Sequence, residues 1–125
     1  MVGKIREIVF DCKAAPALAR FWVEILDGYS VRAYDQAEID RLAKLGLTRE
    51  TDPTVLVDGP GPMLCFQQVP NRRYDNNRVH LDISVADRQQ EARRIRTLGG
   101  EFVREKPEYT VMRDPEGNRF CIVER

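Results

Sequence analysis

The chain has 125 residues, 42% hydrophobic and 32% charged, and its twenty basic and twenty acidic side chains cancel. That is the composition of an ordinary globular domain large enough to bury a core. It leaves no electrostatic footprint for nucleic acid, and no apolar run approaches a membrane span. Three cysteines without a CxxC spacing argue against a disulfide framework and for a reducing cytoplasm. MVGKIREIVF lacks the pattern of a secretory leader. A single cytoplasmic domain over residues 1–125 is therefore expected.

Ile5–Cys12 alternates with period two, Ile8, Phe10 and Cys12 on one side and Glu7, Val9 and Asp11 on the other, which predicts a strand. Pro16 suits a first helical turn, and Leu18, Phe21, Trp22 and Ile25 follow as one apolar stripe up to a stop at Gly28. Trp22 belongs to that stripe and so to the core. A second strand is expected over Tyr29–Tyr34. Asp35 with Glu38 three residues later reads as a capping box for a helix from Gln36 to Leu45, stopped by Gly46. Thr54–Val57, a Pro/Gly turn and Met63–Val69 make a hairpin.

Residues 70–77 (PNRRYDNN) are polar and turn-rich, a linker between a first module at about 4–69 and a second at about 78–125. Val79–Val85 is again a strand. Asp87 is a good N-cap for a helix over Arg88–Leu98, whose Arg93, Arg94 and Arg96 form a solvated face. Gly99 and Gly100 stop it. Strands at Glu101–Arg104, Tyr109–Arg113 and Arg119–Glu124 follow, the last two joined by the turn Asp114-Pro-Glu-Gly-Asn118.

The two halves repeat one another. EIVFDCKAAPALARFWVEILDGYSV (7–31) and HLDISVADRQQEARRIRTLGGEFV (80–103) align at an offset of 73 at the strands and 72 at the helix ends. GPMLCFQQ and GNRFCIVE align at an offset of 56. Each half reads as strand–helix–strand–strand–strand, and the 36–46 helix is an insertion in the first. In the second half Leu81, Ile83 and Val85 form an apolar face, while His80, Asp82 and Ser84 point the other way. By the same phase Glu7, Val9, Asp11, Cys65 and Gln67 line the polar face of the first half, and Cys121 and Val123 that of the second. Those polar faces are the expected wall of a ligand pocket, with Tyr34, Tyr74, Gln67 and Arg113 at its edge.

IREIVFDC, ARFWVEILDGY, VHLDISV and VMRDPEGNRFCIV, in this paired order, resemble the vicinal-oxygen-chelate superfamily, which includes glyoxalase I, bleomycin-resistance proteins, extradiol dioxygenases and methylmalonyl-CoA epimerase. The likeness is greatest to its glyoxalase-like domains of unassigned function. It implies an α+β fold of two βαβββ modules forming curled mixed sheets, commonly a homodimer, with a small-molecule ligand in the concave sheet. Dimerisation also covers the open edges of four-stranded sheets. In metal-dependent members the first strand of each module supplies His or Gln and the last strand Glu. Carried onto this chain, those positions are Glu7, Cys65, His80 and Cys121, and His80 alone keeps the family residue.

Extradiol dioxygenase chemistry requires two His and a carboxylate, and the chain has one His. Two readings remain. In the first, no cofactor is expected: the domain binds a small molecule in its sheet pocket, and His80 with Glu7 or Asp82 supplies whatever acid–base work is done. The second is a metal-dependent lyase or isomerase of the glyoxalase type, acting on a small carbonyl compound or thiol adduct. There a divalent ion would sit among Glu7, Cys65, His80 and Cys121. For the three cysteines the plain alternative to any chemistry is a place in the core.

Overall fold

The structure, a computed structural model, describes residues 5–70 and 79–124. The expected linker beyond Pro70, and Tyr74 within it, lie outside the described residues. The chain divides into two compact units, Met1–Arg72 and Arg73–Arg125.

The first unit runs β1 (Glu7–Cys12), α1 (Ala15–Ile25), β2 (Ser30–Val31), α2 (Gln36–Lys44), β3 (Thr54–Asp58) and β4 (Met63–Gln68). Its sheet has the order β1-β4-β3-β2, with β1 parallel to β4 and the other pairs antiparallel. The period-two alternation decides which face meets α1. Val55, Val57, Leu64 and Phe66 are buried, as are Leu18, Phe21 and Trp22 of the helix. Phe10 joins sheet to helix: its ring lies 4.9 Å from Phe66 and 5.3 Å from Trp22. Pro16 sits in the first turn of α1, and Gly28 takes the left-handed conformation (φ 75°) that turns the chain after it.

The strand expected over Tyr29–Tyr34 shrinks to Ser30–Val31. Arg32 N still donates to Leu56 O at 2.9 Å. Beyond it the chain leaves the sheet: Tyr34 is tied through its hydroxyl to buried Asp52 at 2.7 Å, and Asp35 caps α2 by accepting from Glu38 N at 2.8 Å. Tyr34 is thus a structural donor, and it also lines an open cleft of the first unit beside Arg32, Asp35, Glu38 and Leu56. Leu42 alone of α2 is buried, and among the described residues the second unit has no equivalent of this helix.

The second unit runs β5 (Leu81–Val85), α3 (Arg88–Thr97), β6 (Glu101–Glu105), β7 (Tyr109–Arg113) and β8 (Arg119–Glu124), in the sheet order β5-β8-β7-β6. β5 is parallel to β8 and the rest antiparallel. Asp87 caps α3 by accepting from Gln90 N at 3.0 Å, and Ile95 is the helix residue fully buried against the sheet. The β7–β8 turn is held by Asp114. Its Oδ1 accepts from Glu116 N and Asn118 N, both at 2.9 Å, and its Oδ2 from Asn118 Nδ2 at 2.7 Å. Two departures from the expected strands matter for the site. β5 starts at Leu81 rather than Val79, so His80 stands just before it, and β6 carries an irregular register between Phe102 and Arg104. Among the described residues no helix is long and apolar enough to cross a membrane.

Candidate functional site

Strand register assembles one row of side chains across the second sheet. Asp82 of β5 pairs with Cys121 of β8, Cys121 with Val111 of β7, and Val111 with Arg104 of β6. Paired residues share a face, so these four lie side by side on the face opposite α3. His80, two residues before Asp82, continues the row's β5 end. Tyr109 and Val123, themselves paired, flank it on the same face.

This face lines an open cavity of about 400 Å³. Its wall is formed by His80, Asp82, Arg104, Glu108, Tyr109, Val111, Arg119, Phe120, Cys121 and Val123, all of the second unit. His80 Nε2 lies 3.5 Å from Asp82 Oδ1. One ligand atom from each of His80, Asp82 and Cys121 falls within 4.8 Å of the others. The Cys121 thiol is pushed above its ordinary pKa, first by partial burial, then by the Asp82 charge and by hydrogen bonding to that carboxylate, with Arg104 opposing. At neutral pH Cys121 is therefore a protonated donor to Asp82, not a thiolate nucleophile.

Of the residues expected from the sequence, His80, Asp82, Cys121 and Val123 line this cavity. Glu7, Val9, Asp11, Cys65 and Gln67 take the matching places in the first sheet, where Glu7 pairs with Met63, Val9 with Cys65, and Asp11 with Gln67. Cys65 is 6% exposed, and burial followed by the charges of Glu7 and Asp11 raises its thiol pKa. Cys12 is fully buried and Trp22 nearly so, both as core residues. Arg113 stands 4.0 Å from Glu101 and does not line the cavity. Arg104, Glu108, Tyr109, Val111 and Arg119 are wall residues that the sequence reading missed. For Arg104 a signal existed, since it follows Arg32 by 72 positions, the offset of the helix ends.

The sequence profile of the "Glyoxalase-like domain" family matches residues 7–123. The chain belongs to this family. Solved structures agree with the assignment at the level of fold. The fosfomycin resistance protein FosX from Mesorhizobium loti has a TM-score of 0.69 at 12% identity, covering 98% of this glyoxalase-like chain and 92% of its own. A glyoxalase/bleomycin resistance protein/dioxygenase family enzyme from Burkholderia phytofirmans gives 0.65 at 10% identity, with 98% of each chain covered. A FosX variant from Listeria monocytogenes, complexed with Mn(II) and a dihydroxypropylphosphonic acid, gives 0.68 at 13% identity over 98% of this chain and 90% of that one. No curated protein sequence matches the chain. The two four-stranded mixed sheets with their helices are the fold of this family.

Proposed function

We propose that this glyoxalase-like domain binds a small organic molecule in the cleft of its second sheet and does so without the Mn(II) held by its FosX relative. The observation that carries the reading is the cavity of about 400 Å³, in whose wall Tyr109, Val111 and Val123 stand beside the convergent polar groups of His80, Asp82, Arg104, Glu108 and Arg119. The donor set argues against a hard ion. Manganese favours oxygen and imidazole ligands, whereas the third donor beside His80 and Asp82 is a thiol, a soft ligand. Within the cleft His80, steadied by Asp82, is the group placed to give or take a proton at a bound ligand. A thermal-shift screen of small fragments tests the reading. Ligands should raise Tm of the native protein and lose that effect in Val123→Trp, which fills the cleft; hits indifferent to that substitution would place binding elsewhere.

A second reading, a metal-dependent lyase or isomerase, is favoured by one observation, the closeness of the His80, Asp82 and Cys121 ligand atoms. By donor type these three would hold Zn²⁺, with a position left for substrate, and the ion would supply Lewis-acid polarisation of a carbonyl. Elemental analysis of untagged protein beside His80→Ala separates the two. The binding reading expects no stoichiometric metal in either sample. Near-stoichiometric zinc that vanishes in the variant would replace it with the lyase.

A further inference from the structure

The repeat makes the two sheets comparable position by position, and one matched arginine is engaged differently in each. In the first unit Val9 pairs with Cys65, Cys65 with Leu56, and Arg32 N bonds to Leu56 O. The row Val9–Cys65–Leu56–Arg32 is thus the counterpart of Asp82–Cys121–Val111–Arg104. Arg32 is consumed within the fold, because its Nε and Nη2 donate to the two carboxylate oxygens of Asp58 at 2.9 and 2.8 Å. The residue matching Asp58 in the second unit, two after Val111, is Arg113. Arg104 therefore lacks the carboxylate its counterpart has, and among the described residues it forms no ion pair.

The bulge in β6 is what brings Arg104 into the cleft. Regular pairing continued from Phe102 opposite Met112 would set Val103 opposite Val111 and Arg104 opposite buried Thr110, on the other face. Instead the register slips by one, and Arg104 pairs with Val111. A bulge that re-aims one side chain beside a cavity is a recurrent use of this irregularity. The wall then combines this guanidinium with Val111 and Val123.

We propose that the cleft selects small apolar monocarboxylates and that Arg104 is the residue that sets this preference, an inference resting on the cleft being a ligand site as argued above. The planar guanidinium fork matches a carboxylate bidentately. The same wall sets Asp82 and Glu108 against Arg104 and Arg119, so its charges cancel and a dianion is less favoured than a monoanion.

Titration calorimetry with phenylacetate and its neutral isostere phenylacetamide tests this on the native protein, on Arg104→Met, and on a chain lacking Val103. The native protein should bind the acid about tenfold more tightly than the amide. Arg104→Met, a change at an exposed side chain, should reduce that ratio to about twofold, chiefly by weakening the acid. Deleting Val103 removes the extra residue but keeps Arg104 opposite Val111, so that chain should retain the acid preference. An acid preference that survives Arg104→Met, or equal binding of acid and amide by the native protein, overturns the role of Arg104 while leaving the cleft as a ligand site. Absence of saturable binding by either compound removes the cleft reading and this inference together.

Discussion

Cys65 and Cys121 occupy matched positions in the two sheets, and both thiols are pushed upward, but by different neighbours. Burial is the largest cause for each; Glu7 and Asp11 add to it at Cys65, Asp82 at Cys121, where Arg104 alone opposes. The sign follows directly. A raised pKa means less thiolate at any pH below it, so Cys121 should alkylate slowly at neutral pH and faster as the medium becomes alkaline. Asp82→Asn removes a repelling charge and should move the pH–rate profile of iodoacetamide labelling at Cys121 to lower pH. Arg104→Met removes the one favourable charge and should move it to higher pH. Peptide mass spectrometry reads Cys121 apart from Cys12 and Cys65, which are buried. Opposite shifts in the two variants would confirm that both groups face the thiol; a profile unmoved by Asp82→Asn would mean that burial alone sets it.

Single elements explain what the sequence disclosed and what it concealed. The alternation in Ile8–Cys12 and Leu81–Val85, the apolar stripe of α1, and the caps at Asp35 and Asp87 all depend on neighbours within a few residues, and the structure follows them. The β7–β8 turn is of the same local kind. Asp114, 1% exposed, accepts three hydrogen bonds within its own loop, and Gly117 takes φ 84°. Asp114→Ala leaves Asn118 N and Nδ2 buried without these acceptors and should cost about 3 kcal/mol of stability, read as the shift in a urea midpoint. The His80–Asp82 side of the cleft was legible because one strand's alternation fixes it. Arg104 was not, because its face depends on pairing with a strand elsewhere in the chain. Within Phe102-Val103-Arg104 simple alternation puts Arg104 with Phe102, and the bulge reverses that. The shortening of β2 to two residues was hidden for a similar reason, since the tie from Tyr34 to Asp52 that ends it spans 18 positions.

At the scale of the whole molecule the repeat separates what the fold requires from what a ligand site requires. Strand order, parallel first pair, helix placement and the central cysteine are common to both units. The differences gather on one face: Glu7 against His80, Val9 against Asp82, and the paired Arg32–Asp58 against Arg104 and Arg113. If Arg104 is open to a ligand because the Asp58 position has become Arg113, restoring the acid there should close it. Arg113→Asp is therefore expected to engage Arg104 as Asp58 engages Arg32. The preference for phenylacetate over phenylacetamide should fall from about tenfold to about twofold, with the affinity for the amide unmoved. Arg113 lies outside the cavity wall, so a change in amide binding would point to a general distortion of the sheet instead. Retention of the acid preference in a folded Arg113→Asp protein would mean that the bulge, by carrying Arg104 away from its neighbour's reach, keeps the guanidinium open by itself. The first unit's regular register and the second unit's bulge would then mark the difference between a structural arginine and a binding one.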